Sequence, residues 1–261
     1  MNLKSTAVEA AQAAGKILRT HFERGTVVRN KGPVDLVTDA DIASERRIAE
    51  ILRETFPDHS IMGEEEERGD PDAEFLWVID PLDGTTNFAH GIPHFAVSIA
   101  CLCRGQAEVG VIWNPMREDL YVASRGQGAF HNGAAISVNA EEHLSHTLIG
   151  TGFYYDRGAV MQATLAAIDD CFRRNIHGIR RCGTASLDLA SVAAGQYGAY
   201  FEYQLSAWDF AAGMLLVTEA GGHVSTCTGE TLPLGRTSIL ASNGLLHESV
   251  LEIVTRHFLA G

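Results

Sequence analysis

Trp77-Val-Ile-Asp80-Pro81-Leu82-Asp83-Gly84-Thr85-Thr86-Asn87-Phe88 is the stretch from which the rest of the chain is best read. The apolar run over residues 75–79 reads as a buried strand, and it leads into two carboxylates three residues apart with a proline between them. On a rigid proline turn at the strand's end, Asp80 and Asp83 can converge on one pair of cations. The same turn frees the Leu82 carbonyl as a further oxygen donor, and Gly84 and Thr85 then offer backbone N–H groups to an anion. Hard oxygen donors with no His or Cys beside them favour Mg²⁺ or Mn²⁺ over zinc. Asp-x-x-Asp-Gly also suits an exposed turn, so the neighbouring sequence has to decide.

Upstream lies Gly63-Glu64-Glu65-Glu66-Glu67. Glu64 follows a glycine and an apolar pair and is expected to turn inward, while Glu66 and Glu67 read as a solvated acidic loop. Far downstream, Ala207-Trp208-Asp209-Phe210-Ala211-Ala212-Gly213 opens an apolar helix. A first-turn Asp can simply complement the helix dipole, but between Trp208 and Phe210 a carboxylate needs a partner.

Outward from these segments the chain alternates. Val8, Ala11, Ala14, Leu18 and Phe22 fall at helical spacing over residues 8–22. A second helix starts at Asp39 as N-cap, turns Ile42, Ala49, Leu52 and Phe56 inward, and stops before Pro57. Lys31-Gly32-Pro33 is a loop signal between them. Strands are expected at residues 95–103, 107–113 and 120–123, then at 198–203 and 238–241. Helices are expected at residues 160–173, 185–194, 207–220 and 246–258. This order predicts layered α/β or α+β packing, with no repeat and no linker.

The 261 residues, 46% hydrophobic and 20% charged, suit one large domain or two closely packed lobes. The net charge of −13 disfavours nucleic acid and anionic membrane surfaces as partners. It also poses a problem for any enzyme acting on an anion, which bound cations would solve by reversing the local field. Cys101, Cys103, Cys171, Cys182 and Cys227 are odd in number and read as buried thiols, consistent with a reducing, cytoplasmic setting. No apolar run approaches the roughly 20 residues of a membrane span, and the N-terminus lacks a signal-peptide pattern. His90 and His94 are separated by Gly91 and Pro93, which break any helix that could align them as zinc ligands.

Together, Asp80-Pro-Leu-Asp-Gly-Thr-Thr-Asn87 and Trp208-Asp-Phe-Ala-Ala-Gly213, with Gly221-Gly222 closing the helix, resemble the two signature motifs of inositol monophosphatases. Pro33-Val-Asp-Leu-Val-Thr-Asp-Ala-Asp41, Gly63-Glu64-Glu65, Asn114-Pro-Met-Arg117, residues 125–133 and His177-Gly-Ile-Arg-Arg-Cys-Gly-Thr-Ala185 match in the same order and spacing. The resemblance runs over most of the chain. It implies a five-layered α-β-α-β-α sandwich, a homodimer, and hydrolysis of a small phosphate monoester in a cleft between two halves, with inhibition by Li⁺.

Carried onto this sequence, the resemblance implies two or three Mg²⁺ ions per site, with Mn²⁺ as a substitute. Glu64, Asp80 and the Leu82 carbonyl would hold the first; Asp80, Asp83 and Asp209 the second; Glu64 would help retain a weaker third. Asp41 and Thr85 would orient and deprotonate the attacking water. Asp83, Gly84, Thr85, Ala185, Glu202 and Asp209 would line the substrate, the Gly84 and Thr85 amides on its phosphate and Glu202 on its hydroxyls. Two divalent ions neutralise the four carboxylates, and a third leaves a surplus of two positive charges for a phosphate dianion. The same scaffold serves histidinol phosphate, fructose bisphosphate and nucleotide 3′-phosphates. Arg157, Arg180 and Arg181 are candidates for the second basic subsite a bisphosphate needs. Some bacterial relatives also resemble a regulatory partner of the transcription machinery.

Overall fold

The computed structural model describes residues 2–25, 28–30 and 36–258. Helix α1 (Leu3–Arg24) starts at Asn2, whose side chain accepts from the Ser5 N–H at 2.8 Å. Its inward stripe of Ala7, Ala10, Ala11, Ala14 and Leu18 is small enough to lie close on a sheet. Strands β1 (Val28–Asn30) and β2 (Leu36–Thr38) make an antiparallel ribbon, and the Lys31-Gly32-Pro33 loop lies outside the described residues.

Helix α2 (Asp39–Thr55) corrects two expectations. Its N-cap is Thr38, whose side chain accepts from the Ala40 N–H, and Asp39 is the first helical residue. The inward face is also rotated from the apolar pattern: Asp41, Ser44 and Glu45 are buried with Ile48, Ala49 and Leu52, whereas Ile42 is half-buried. Two carboxylates face inward where a polar outer face was the simpler reading.

The larger sheet contains β3 (Ser60–Gly63), β4 (Phe75–Asp83), β5 (Ala96–Cys103), β6 (Gln106–Asn114), β7 (Asp119–Ser124), β8 (Ala129–His131) and β9 (Ala134–Ile136) in chain order. β3 pairs parallel with β4, and the rest is an antiparallel meander. Short helix α3 (Thr85–Ala89) follows β4, where a plain Gly-Thr-Thr turn was expected. The second sheet has the order β11 (Gly178–Arg180), β10 (Leu148–Thr151), β12 (Ala199–Leu205), β14 (Thr237–Ser242), β13 (His223–Ser225). Helices α4 (Ala159–Arg173), α5 (Ala185–Ala193), α6 (Ala207–Glu219) and α7 (His247–His257) complete the described elements, apart from a 3₁₀ turn.

The layers follow from which faces are apolar. α1 and α2 cover one face of the larger sheet, α5 and α6 fill the space between the sheets, and α4 and α7 cover the outer face of the second sheet. This is the α-β-α-β-α stack that the resemblance implied. α5 and α6 are buried on nearly all sides, so they lack a polar stripe. All five cysteines are free, three of them fully buried.

Two strand irregularities aim the chain at one place. Residues three apart on a regular strand point to opposite faces. In β4, however, Asp80 pairs with Ser98 and Asp83 with Ala96, so two residues oppose one and a bulge falls at Pro81-Leu82. The extra residue returns Asp83 to the side of Asp80, and Pro81 sits where no ladder donor is required. β4 therefore continues to Asp83, rather than ending before a proline turn. β12 repeats the device: Glu202 pairs with Ile239 and Leu205 with Thr237.

Candidate active site

Both bulges open onto one cleft of about 300 Å³. Asp80, Leu82 and Asp83 come from β4, Tyr200, Glu202 and Leu205 from β12, and Glu64 from the turn after β3. Gly84, Thr85, Ala185 and Asp209 also line it, so every predicted site residue except Asp41 is on its wall. Asp41, fully buried, stands behind Thr85: the Thr85 hydroxyl lies 3.2 Å from Asp41 Oδ1 and 3.0 Å from the Leu82 carbonyl oxygen. The other Asp41 oxygen accepts from the Thr38 N–H at 2.8 Å and from its hydroxyl at 2.5 Å. The motifs at Asn114–Arg117 and residues 125–133 are elsewhere. They form turns of the larger sheet, with Asn114 Oδ1 accepting from Met116 and Arg117.

Three of the acidic residues in the cleft are each tethered to a backbone donor. Asp80 Oδ1 accepts from the Leu82 N–H at 3.0 Å. Asp83 Oδ2 accepts from the Ser186 N–H at 2.7 Å and the Ser186 hydroxyl at 2.5 Å, so it caps α5 from another element. Asp209 Oδ2 accepts from the Ser206 N–H at 2.7 Å at the start of its own helix. The N-termini of α3, α5 and α6 all open onto the cleft, at Thr85, Ala185 and Ser206. Their positive dipole ends give an acidic wall some affinity for anions. Gly84, in the left-handed region with φ 94°, closes this corner; a Cβ there would come within 2.5 Å of Thr184 Oγ1.

The electrostatics are dominated by crowding. Burial pushes the Asp80 carboxyl well above the ordinary carboxylate range, and the charges of Glu64, Asp83 and Asp209 push it further. Asp209 is raised by burial and then by Asp83 and Glu64. Burial lifts Asp83 to about 6 against the Ser186 donors, which pull it down. Glu202 is lifted by burial to about 7, although the Tyr200 hydroxyl donates to its Oε2 at 2.6 Å. Its carboxylate lies where a Cβ on Gly152 would be, so only glycine admits it.

Three further residues belong to the site and were not predicted. Asp188, buried on α5, lines the cleft, and burial followed by the charges of Asp83 and Glu202 raises its pKa strongly. Tyr200 fixes Glu202, and Ser186 fixes Asp83. Asp188 lies one turn after Ala185 on the same helix, a spacing that could have suggested it. Of the three candidate arginines, Arg181 lines the cleft, and its charge lowers the pKa of Asp83, Asp188 and Glu202; Arg157 and Arg180 do not line it. His94 is away from the lining, so the His90/His94 pair forms no site there.

Among the described residues, six carboxyls thus face one guanidinium, and the lining contains no His, Cys or Lys. Among the described residues, no group of three or more His, Cys, Asp and Glu side chains is drawn together as a finished metal cage. The donor set nonetheless fits a hard divalent cation: carboxylate and carbonyl oxygens only, in excess of negative charge.

A sequence profile described as the Inositol monophosphatase family matches residues 2–258. The chain is 45% identical to the "Nus factor SuhB" of Pseudomonas aeruginosa over 96% of its own length and 95% of that protein's. It is 41% identical to the "Inositol-1-monophosphatase" of Rhizobium meliloti, covering 97% of this chain and 96% of that one. Among solved structures, an IMPase of Thermotoga maritima superposes with a TM-score of 0.91 at 33% identity, covering 98% of both chains. No described helix is long and apolar enough to cross a membrane.

Proposed function

This chain belongs to the inositol monophosphatase family, and on that premise we propose that it hydrolyses the phosphate monoester of a small polyol, myo-inositol monophosphate first among them. The observation that carries the reading is the convergence of Glu64, Asp80, the Leu82 carbonyl, Asp83 and Asp209 on a cleft that also holds Thr85. These five would hold two or three Mg²⁺ ions, with Mn²⁺ as a substitute. When bound, such ions supply positive charge to the phosphoryl oxygens and make water more acidic at neutral pH.

The protein's own groups divide the remaining work. The Thr85 hydroxyl, 3.2 Å from Asp41 Oδ1, orients the attacking water and passes its proton toward that buried carboxylate. The Gly84 and Thr85 amides, at the positive end of α3, hold the phosphate. Glu202, fixed by Tyr200, accepts from hydroxyls of the alcohol portion, and Ala185 packs beside it. Arg181, surrounded by Asp83, Asp188 and Glu202, is committed to carboxylates. Among the described residues no other cation lines the cleft to hold a second phosphate, which favours a monophosphate over fructose bisphosphate. Li⁺ inhibition, a homodimeric assembly and a cytoplasmic setting belong to the same proposal.

Phosphate release from myo-inositol monophosphate, histidinol phosphate, fructose bisphosphate and a nucleoside 3′-phosphate tests it. The inositol ester should give the highest kcat/KM with Mg²⁺, and chelator should abolish turnover. Undiminished hydrolysis in chelator refutes the role given to the oxygen ligands; a higher kcat/KM for histidinol phosphate reassigns the substrate. A second reading, as a partner of the transcription machinery, is favoured by the name of the 45% identical relative. It becomes the primary one if folded, Mg²⁺-supplied protein releases phosphate from none of these esters.

A further inference from the structure

α2 turns two carboxylates inward, and the catalytic reading uses one of them. Asp41 serves Thr85. Glu45, one helical turn on and fully buried, lines no part of the cleft. It accepts three consecutive backbone N–H groups: Glu65 and Glu67, each at 2.8 Å, and Glu66 between them. That is an anion held in a nest of amides, with the anion supplied by the protein itself.

The same turn is gripped from its other side. The Arg68 guanidinium donates to the carbonyl oxygens of Gly63 at 3.1 Å, Glu65 at 2.7 Å and Glu67 at 2.9 Å. The turn therefore has the N–H groups of residues 65–67 drawn to a carboxylate and the carbonyls of Gly63, Glu65 and Glu67 drawn to a guanidinium. Arg46 pairs with Glu66 at 2.7 Å and Arg53 with Glu67, drawing those two side chains toward α2; Glu66 stays exposed to solvent as the sequence suggested, whereas Glu67 is largely covered. Gly63 permits the approach: a Cβ there would lie 2.5 Å from Glu45 Oε2. Of the four consecutive glutamates, Glu64 lines the cleft.

We propose that Glu45 is a positioning residue that, with Arg68, fixes the turn 63–67 so that Glu64 is presented to the bound cation. α2 then carries both arms of the chemistry, Asp41 for the Thr85 proton path and Glu45 for the Glu64 ligand. Because they are four residues apart on one helical face, the two arms keep a fixed register. The inference rests on the metal-dependent reading above. Without the clamp, the turn would have to be ordered at the moment of binding, and that cost would appear as weaker metal affinity rather than slower chemistry. Loss of such supporting contacts commonly costs about 10–100-fold in metal affinity.

The experiment measures Mn²⁺ binding by paramagnetic resonance, with kcat as a function of Mg²⁺, for wild type, Glu45→Gln, Glu64→Gln and the double variant. Gln keeps the shape of Glu45 but turns an amide donor toward N–H groups. Glu45→Gln should weaken Mn²⁺ about tenfold and raise half-saturating Mg²⁺ equally, with kcat at saturation within about twofold of wild type. In the Glu64→Gln background it should add almost nothing, because it acts through Glu64. Unchanged Mn²⁺ affinity in Glu45→Gln, with clear loss in Glu64→Gln, overturns the inference and leaves the functional reading standing. An equal loss in both backgrounds also overturns it, and no loss in either single variant overturns the reading and the inference together. Should Glu45→Gln not fold, Arg68→Ala carries the test, since Arg68 is exposed. About threefold weaker Mn²⁺ with an unchanged melting temperature is expected, and unchanged affinity refutes the clamp.

Discussion

Glu202→Gln separates burial from chemistry. The Glu202 carboxyl is buried, accepts from the Tyr200 hydroxyl at 2.6 Å, and has its pKa lifted by burial from 4.5 to about 7. A folded-state pKa above the unfolded one means that the folded protein binds the proton more tightly. The associated stability is complete below about 4.5 and is lost as pH rises through about 7. At about 1.4 kcal/mol per pH unit the ionised form costs up to about 3–4 kcal/mol, an upper figure because relaxation and water entry reduce it. Gln keeps the shape that Gly152 admits and still accepts from Tyr200, but never ionises. Without added metal, the variant should melt several degrees above wild type at pH 8 and close to it at pH 5. The same change should cost about 1–3 kcal/mol in kcat/KM for an inositol phosphate and almost nothing for an aryl phosphate lacking hydroxyls. Melting curves at the two pH values, with kcat/KM on both esters, check it. A pH-independent difference in melting temperature would refute the burial argument, and equal kinetic losses would place Glu202 in the phosphate or metal shell.

Asp80→Asn should leave the metal-free protein at least as stable as wild type while abolishing Mn²⁺ binding, because it removes one of four mutually repelling charges and keeps the Leu82 N–H bond. A clear fall in metal-free melting temperature contradicts this. Thr85→Ala should lower kcat by about 10²–10⁴-fold on every ester alike, since orienting water is common to all; a loss confined to polyol esters refutes the assignment. His247 is held between Ser225 Oγ and Ser242 Oγ, each at 2.9 Å, and burial followed by the His223 charge lowers its pKa to about 4. The unfolded chain binds this proton first, so stability should fall as pH drops from about 6.5 to about 4, and His247→Gln should flatten that limb of a melting-temperature profile.

How far the sequence could be read depended on how each signal is encoded. The apolar runs of β4, β5 and β6 and the periodicity of α1 and α4 were visible because burial on one face leaves a period in the chain. The three-residue strands β8, β9, β11 and β13 escaped, being too short to carry one. The bulge that puts Asp83 beside Asp80 was not visible, because it depends on pairing with β5 rather than on anything local. Asp41 could be placed through the motif it shares with a known family. Glu45, four residues later, could not be placed from local chemistry, because a charged residue on an amphipathic helix reads as surface until a neighbouring turn supplies three amides. Asp188, one turn after Ala185, could have been found from that spacing.

The acidic composition and the anionic substrate are reconciled by how the carboxylates are held. Asp80, Asp83 and Asp209 are each fixed through one hydrogen-bonded oxygen, to Leu82, Ser186 and Ser206. Those donors favour the ionised form; burial opposes it in all three, and the neighbouring carboxylates oppose it at Asp80 and Asp209, while Arg181 favours it at Asp83. The balance leaves side chains that are ordered before any cation arrives and destabilised by one another until it does. Divalent metal relieves that repulsion, so cation affinity and metal-free instability have one origin and should move together across the carboxylate variants. A substitution that removes a charge from this cluster should raise metal-free stability as it lowers affinity. One that removes only a tether, such as Ser186→Ala, should lower both.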